Sequence, residues 1–280
     1  MSTKGKVVGI ISNLVTVAVD GPVMQNEICY IIMSDVKLMA EIIRIGENNA
    51  YIQVFESTRG LKIGTEVEFT GHMLEATLGP GILSKNFDGL QHDLDKMGGT
   101  FLQKGDYTPA LENDKLWEFK PLAKPGDEVV PGSWLGEVKE NWMPHKIMVP
   151  FSFTGTFTVK EVSTDGEYKI NDTIAVIADE EGNEINVSMV QKWPVKIPIK
   201  AYKEKPRPFD FMETGIRVID SLNPIVEGGT GFIPGPFGTG KTVLQHALSK
   251  QAEADMIIVA ACGERANEGV EIFAEFPELD

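Results

Sequence analysis

Short apolar stretches with alternating polar positions fill the first 72 residues of the chain. Turn-forming residues such as Asp20-Gly21 and Glu47-Asn48-Asn49 separate them. The pattern predicts six strands, at Lys6–Ile11, Val15–Val19, Ile28–Met33, Met39–Ile45, Tyr51–Phe55 and Glu66–Phe69. Closely spaced strands with no helix between them favour a small closed barrel.

A second β-rich block covers residues 93–195, after a connecting segment at 73–92. Turn signals divide it at 124–127, 131–132, 164–166 and 180–183. The proline and glycine spacing over residues 125–136 is similar to that of lipoyl and biotinyl carrier domains, in which Lys146 would be the modified lysine. Prolines flank that lysine on both sides where carriers have a tight hairpin, so we interpret Lys146 as a solvated surface residue.

The pattern changes after the proline-rich stretch Trp193–Pro208, which predicts a solvated linker. A short strand is predicted at Thr230–Pro234 and a helix at Thr242–Ala252. The continuous apolar run Met256–Ala261 is typical of a parallel strand buried on both faces. The predicted apolar face of the helix consists of Val243, Leu244, Ala247 and Leu248. This order of elements indicates an α/β domain with a phosphate loop.

The loop between the first strand and the helix fits the pattern G-x-x-x-x-G-K-[ST] at every fixed position. Glycines let backbone N–H groups turn toward a polyphosphate, Lys241 brings a positive charge to it, and the Thr242 hydroxyl can ligate Mg²⁺. The helix that follows points its positive end at the same anion. The predicted nucleotide-binding residues are Gly235, Pro236, Phe237, Gly238, Thr239, Gly240, Lys241, Thr242 and Val243.

The apolar run ends in Cys262-Gly263-Glu264-Arg265. In a right-handed strand–helix–strand unit both strands end at the same sheet edge, so Glu264 and Arg265 are expected on the rim of the loop. Glu264 could accept a hydrogen bond from an attacking water, and Arg265 could bind a phosphate or hold Glu264. A surface Glu–Arg pair, or a carboxylate at the start of a helix, explains the same two residues.

Charge, cysteine content and the length of apolar runs argue against several classes of protein. The 280 residues carry a formal net charge of −15, which argues against a nucleic-acid groove. Two cysteines, Cys29 and Cys262, give no disulfide or metal framework, and a reduced, cytosolic chain is expected. No apolar run is long enough to span a membrane, and the first ten residues do not form a secretory signal.

Several motifs together resemble the catalytic A subunits of V/A-type rotary ATPases. The motifs are LGPGIL at 78–83, FDGLQ at 87–91, WPVK at 193–196, TGIRVID at 214–220, the loop GPFGTGKT at 235–242 and ACGERANE at 261–268. The resemblance implies a multi-domain chain. Its parts are an N-terminal β-barrel at 1–72, the approach to the nucleotide-binding domain at 73–92, a β-rich bulge insertion at 93–195, and an incomplete P-loop α/β nucleotide-binding domain at 196–280.

The resemblance also implies ATP synthesis or hydrolysis coupled to proton or sodium transport, with ATP or ADP and Mg²⁺ as ligands. It implies catalytic roles for Lys241, Glu264 and Arg265, and a metal ligand in Thr242. The implied partners are regulatory B subunits in a hetero-hexameric ring and the central and peripheral stalk subunits. Contact with the membrane would be indirect, at its cytoplasmic face, through the ion-conducting sector.

Two residues depart from many family members: Ala266 stands where they have glycine, and Thr239 where eukaryotic forms often have cysteine. Members of the family are roughly twice as long as this chain of 280 residues, so the chain is expected to be a fragment that is inactive alone. Two other functions stay open. One is a non-enzymatic assembly or regulatory piece, and the other is an ATP-driven RNA helicase or export motor with a similar barrel and loop.

Overall fold

A computed structural model gives the fold of residues 3–34, 36–97, 104–105, 107–200, 202, 204–236 and 238–263. The chain divides into two compact units, residues 1–201 and residues 202–280, which are described separately. Among the described residues no helix is both long and apolar enough to cross a membrane.

Six antiparallel strands at the N-terminus close into a barrel in the order β1-β2-β5-β4-β3-β6. They are β1 (Lys4–Ile11), β2 (Leu14–Val19), β3 (Glu27–Met33), β4 (Val36–Ile45), β5 (Asn49–Val54) and β6 (Glu66–Met73). All six predicted strands are confirmed, and so is their closure. Closure leaves no free sheet edge over most of the barrel, which is the usual reason why small all-β units adopt it.

The barrel core follows from the alternation of side chains along each strand. Every second residue points inward, so a strand such as β2 buries Val15 and Val17 and turns the residues between them outward. The core consists of Val7, Val15, Val17, Cys29, Ile31, Leu38, Ala40, Ile42, Ala50, Ile52, Val54, Val67 and Phe69.

The second part of this unit, residues 79–190, is a lobe of two four-stranded antiparallel sheets. After β7 (Glu75–Leu78) and a 3-10 helix (Leu94–Lys96) its strands are β8 (Leu116–Pro121), β9 (Glu128–Val129), β10 (Trp134–Glu140), β11 (Met143–Met148), β12 (Phe157–Val162), β13 (Gly166–Lys169), β14 (Ala175–Ala178) and β15 (Glu184–Val187). One sheet has the order β11-β10-β8-β13 and the other β15-β14-β12-β9. Both contribute to one apolar core.

The chain enters and leaves the lobe through a two-stranded stem. Strand β16 (Gln191–Pro194) pairs antiparallel with β7, and Leu78 lies opposite Gln191. The Gln91 side chain joins this stem, since its amide accepts from Thr77 N–H at 2.7 Å and donates to Thr77 C=O at 2.8 Å. The insertion therefore begins and ends at adjacent points.

Close packing inside the lobe requires a glycine in β10. A Cβ on Gly136 would lie 2.2 Å from the Phe119 ring and 2.8 Å from the Lys120 carbonyl oxygen. The missing side chain lets Phe119 cross the strand and reach the core, where it is fully buried.

Lys146 lies in β11 and not in a hairpin tip. Its ammonium forms an ion pair with Glu137 and stands 4.9 Å from the centre of the Trp134 ring. The tip between β10 and β11 is Asn141-Trp142. The lysine is thus a partly exposed, ion-paired strand residue, and a carrier role has no support from its position.

A buried carboxylate ties the hairpin of β10 and β11 to the loop before it. Glu140, only 2% exposed, accepts hydrogen bonds from Gly81 N–H at 2.7 Å, Leu83 N–H at 3.0 Å and His145 Nδ1 at 2.6 Å. Burial by itself raises the pKa of Glu140, but the hydrogen bonds from His145, Leu83 and Gly81 outweigh it and lower the pKa from 4.5.

Replacing Glu140 with glutamine should lower the free energy of unfolding by about 1–3 kcal/mol at pH 7, because an amide cannot accept all three hydrogen bonds. The lowered pKa in the folded state means that the carboxylate stabilises the fold above pH 4.5 and loses this effect as the pH falls below it. The difference between wild type and Glu140→Gln should therefore shrink on acidification. Urea unfolding of both proteins at several pH values measures this difference in the free energy of unfolding. Glu118→Gln, at an exposed position of β8, is the control, and an equal loss in both variants would refute the role of Glu140.

The second unit contains β17 (Phe211–Met212), α1 (Arg217–Leu222), β18 (Ile225–Val226) and α2 (Lys241–Gln251). Strands β17 and β18 form an antiparallel pair. Helix α2 confirms the helix that was predicted at Thr242–Ala252, with each end shifted by one residue. Its predicted apolar face is not buried, however: Val243 is 72% exposed, and His246 is the one buried residue of this helix.

The two strands predicted around the loop are wrong. Neither Thr230–Pro234 nor Met256–Ala261 forms a strand in the structure. A parallel strand exists only when a neighbouring strand takes its backbone hydrogen bonds, and among the described residues no strand pairs with either segment. Phe232 and Ile258 are accordingly 86% and 83% exposed.

Candidate functional site

The loop at residues 235–242 has the backbone that its glycines predict. Gly238 and Gly240 both have φ of +80°, in the left-handed region that side-chain-bearing residues rarely adopt. Gly240 is also the N-cap of α2, and the first helical hydrogen bond runs from Leu244 N–H to its carbonyl at 2.9 Å. The N–H groups of Lys241, Thr242 and Val243 therefore precede that bond, as in any first helical turn.

Contacts within the motif close the loop on itself. The Thr239 hydroxyl donates to the Pro236 carbonyl at 2.8 Å. A Cβ on Gly235 would lie 2.6 Å from that hydroxyl oxygen, so only glycine fits beside Thr239. Glycine at these positions keeps side chains out of the concave side of the loop, which is the shape that a phosphate cradle requires.

The Lys241 side chain folds back over the loop. Its ammonium donates to the carbonyl of Gly235 and, at 3.3 Å, to the carbonyl of Pro236. A positive charge thus stands at the loop beside the N-terminus of α2, where the helix dipole also favours an anion. Backbone conformation, cradle and charge all fit the phosphates of a nucleotide, and the Thr242 hydroxyl at the helix start is a suitable oxygen ligand for Mg²⁺.

Three predicted site residues fall outside the described part of the chain: Phe237, Glu264 and Arg265. Of the predicted loop residues, the structure describes Gly235, Pro236, Gly238, Thr239, Gly240, Lys241, Thr242 and Val243, the last three of them at the start of α2. The catalytic role of Lys241 and the metal role of Thr242 stay predictions, as do the roles of Glu264 and Arg265.

Two hydrogen-bonded residues, Thr214 and Asp220, stabilise the start of α1 and were not predicted from the sequence. This pair is called the bracket below. Asp220 Oδ1 accepts from the backbone N–H of Thr214 at 3.1 Å and from its hydroxyl at 2.6 Å. Thr214 is fully buried and accepts in turn from Ile216 N–H at 3.2 Å. A threonine before a helix and an aspartate in its first turn are typical helix-start residues, so the signal was present in the sequence.

The bracket also lies against the end of the loop helix. Gly215, with φ of +70°, sits so close to α2 that a Cβ would lie 2.8 Å from Gln251 Oε1. The start of α1 therefore lies beside the C-terminal end of α2, which is the end opposite the loop.

The two thiols differ in exposure, and we expect them to differ in reactivity. Cys262 is exposed, whereas Cys29 is buried in the barrel, where burial and the nearby charge of Glu27 raise its pKa to about 12. Maleimide should label the native 280-residue chain at Cys262 and leave Cys29 unmodified until denaturant is added. Mass spectrometry of the wild type and of Cys262→Ser measures this, and rapid native labelling of the serine variant would contradict it. In an assembled full-length protein Cys262 is predicted to be shielded by a completed sheet.

Three family models match successive parts of the chain. Residues 7–71 match the ATP synthase alpha/beta family β-barrel domain, and residues 108–196 match the ATP synthase alpha/beta subunit barrel-sandwich domain. Residues 215–280 match the nucleotide-binding domain of the same family. The matches agree with the barrel, with the two-sheet lobe and with the unit that carries the loop.

Curated relatives match over nearly the whole chain. A V-type ATP synthase alpha chain of Treponema denticola is 48% identical over 280 residues, which are 99% of this chain and 48% of the relative. Alpha chains of Borrelia hermsii and of Borreliella burgdorferi strain ZS7 are 49% and 48% identical, over 100% of this chain and 49% of each relative. The chain spans about half the length of these relatives. Because three domain models of one family match successive parts of the chain, it belongs to the ATP synthase alpha/beta family.

Proposed function

We propose that the chain is the N-terminal half of the catalytic subunit of a V/A-type rotary ATPase. The intact protein would interconvert ATP with ADP and phosphate and couple this to proton or sodium transport. One observation carries the proposal. A loop that fits the phosphate-loop pattern has glycines at left-handed φ, and the Lys241 side chain folds over it. The chain that carries this loop is similar to a V-type alpha chain over 99% of its own length.

The residues of this chain would then act as follows. The loop N–H groups and the Lys241 ammonium bind the β- and γ-phosphates, and the Thr242 hydroxyl is a ligand of Mg²⁺. Mg²⁺ held there would supply positive charge that offsets the negative charge of the phosphate oxygens. Glu264 orients the attacking water and accepts its hydrogen bond, and Arg265 stabilises charge near the γ-phosphate. Catalysis of this kind consists mainly of positioning and charge stabilisation.

The proposed partners complete the site. Regulatory B subunits alternate with this subunit in a hetero-hexameric ring, and one of them supplies an arginine to the phosphates. Central and peripheral stalk subunits connect the ring to an ion-conducting sector, so the complex would lie at the cytoplasmic face of the membrane. The net charge of −15 supports protein partners in place of nucleic acid.

The experiment is a phosphate-release assay on the complex assembled from the full-length subunit, with and without single-stranded RNA. Turnover that is unaffected by RNA is expected. Turnover that requires RNA would replace the proposal with the helicase alternative. Assembly with no turnover under any condition would support a non-enzymatic assembly piece instead.

A further inference from the structure

Strand β4 has an edge that the barrel leaves unpaired. On one side β3 pairs with β4 along Val36–Glu41. On the other side β5 pairs only from Ala40 onward, and one more hydrogen bond from Phe55 N–H reaches the Met39 carbonyl at 3.1 Å. The Lys37 carbonyl and the Met39 N–H on this side therefore lack a strand partner, and unpaired backbone groups of this kind need another partner.

The hydroxyl of Tyr107, which lies in the segment that enters the lobe, takes the place of the missing strand. It accepts from Met39 N–H at 3.0 Å and donates to the Lys37 carbonyl at 2.9 Å. One side chain thus forms hydrogen bonds with both of these backbone groups. Tyr107 is 68 residues from Met39 and 70 residues from Lys37 in the sequence. Its ring also packs against His92 at 5.3 Å, and His92 is hydrogen-bonded to Asp88 at 2.8 Å.

The residues just before Tyr107 hold the same edge. Gly105, with φ of +70°, lies so close to β4 that a Cβ would stand 2.5 Å from Val36 Cγ1. Its N–H donates to the Glu56 carboxylate at 3.3 Å, and the Lys104 ammonium donates to the Arg59 carbonyl at 2.6 Å. The lobe segment and the barrel therefore make several contacts at this point.

A second contact joins the other end of the insertion to the same strand. Lys196, two residues after β16 ends, forms an ion pair with Glu41 of β4 and donates to the Asn26 side chain at 3.2 Å. The residue was predicted to belong to a solvated linker, and its ion pair with the barrel corrects that prediction. Tyr107 of the lobe and Lys196 after the stem thus both contact β4.

We propose that Tyr107 and Lys196 are positioning residues that fasten the lobe to the barrel through β4, so that the two move as one rigid arm. Without them the lobe would be held to the barrel by the β7–β16 stem and by the contacts of Lys104 and Gly105. Linked domains without an extensive interface move relative to one another by default. A load applied to the lobe would then reach the barrel through β4. The inference concerns residues 1–201 and holds whether or not the proposed function is correct.

The distance between barrel and lobe tests the inference. Spin labels on Glu47→Cys and Glu180→Cys, in a Cys262→Ser background, report it by pulsed electron resonance, since both positions are exposed and Cys29 is buried. The double variant Tyr107→Phe, Lys196→Met should broaden the distance distribution by about twofold or more. The matched control is Tyr168→Phe, Lys169→Met, which removes a hydroxyl bond to Thr164 and an ion pair to Asp114 within the lobe. An unchanged distribution in the first variant would overturn the inference.

Amide exchange gives a second readout that does not depend on the labels. In Tyr107→Phe alone, Met39 N–H loses its partner, and its exchange followed by NMR should become about tenfold faster. The Met39 amide should be unaffected by Tyr168→Phe. Equal exchange of Met39 in the wild type and in Tyr107→Phe would show that the hydroxyl does not hold this edge, and would overturn the inference as well.

Discussion

Replacing Lys241 with alanine is expected to weaken MgATP binding to the full-length subunit by about tenfold or more. The ammonium stands over the loop, bonded to the Gly235 and Pro236 carbonyls, beside the N-terminus of α2. One charge-assisted hydrogen bond contributes about 1.5–3 kcal/mol, and about 1.4 kcal/mol corresponds to a factor of ten in affinity.

Calorimetric titration with MgATP measures the effect. Lys250→Ala is the control, because it removes the same side chain from the last turn of the same helix and leaves the loop intact. The wild type and Lys250→Ala should bind with similar affinity. If Lys241→Ala bound ATP as tightly as they do, the loop would have no part in nucleotide binding.

Replacing Glu264 with glutamine should reduce ATP turnover of the assembled enzyme by about 10²–10⁴-fold, the usual contribution of a general base. Glutamine keeps the shape of the side chain, so nucleotide should stay bound. The amide cannot take a proton or orient water as a carboxylate does, so hydrolysis should stall. This expectation rests on the sequence and the family, since Glu264 lies outside the described residues.

Nucleotide occupancy and turnover must be measured on the same preparation. Glu253→Gln, an exposed position just after α2, controls for the loss of one negative charge. Bound nucleotide with blocked turnover in Glu264→Gln alone is the expected pattern. A normal rate in that variant would assign the chemistry to other residues.

The barrel was predictable because each strand carries its own signal. Alternating apolar residues and turn residues are local features, and they gave all six strands of residues 4–73. The lobe was predictable only as a β-rich block. Its two-sheet arrangement depends on long-range contacts, such as Phe119 filling the space that Gly136 leaves open, and a local pattern does not encode these.

In the candidate site, too, the local features were predictable and the long-range contacts were not. The glycine pattern predicts the left-handed residues Gly238 and Gly240 and the start of α2, because the chemistry is contained in eight consecutive residues. The two strands predicted beside the loop were wrong, because a strand needs a neighbouring strand to pair with and the local sequence does not show whether one is there. The Thr214–Asp220 bracket and the Tyr107 contact to β4 were missed for a related reason: their partners are set by the fold.

Steady-state phosphate release, from the 280-residue chain alone and from the complex assembled with the full-length subunit, tests the central claim most directly. The claim is that the loop at residues 235–242 belongs to an ATP-hydrolysing site which is completed by a partner subunit. A missing arginine finger lowers phosphoryl-transfer rates by about 10³–10⁵-fold, so the chain alone should show negligible turnover and the complex ready turnover. Turnover by the chain alone near that of the complex would contradict the account.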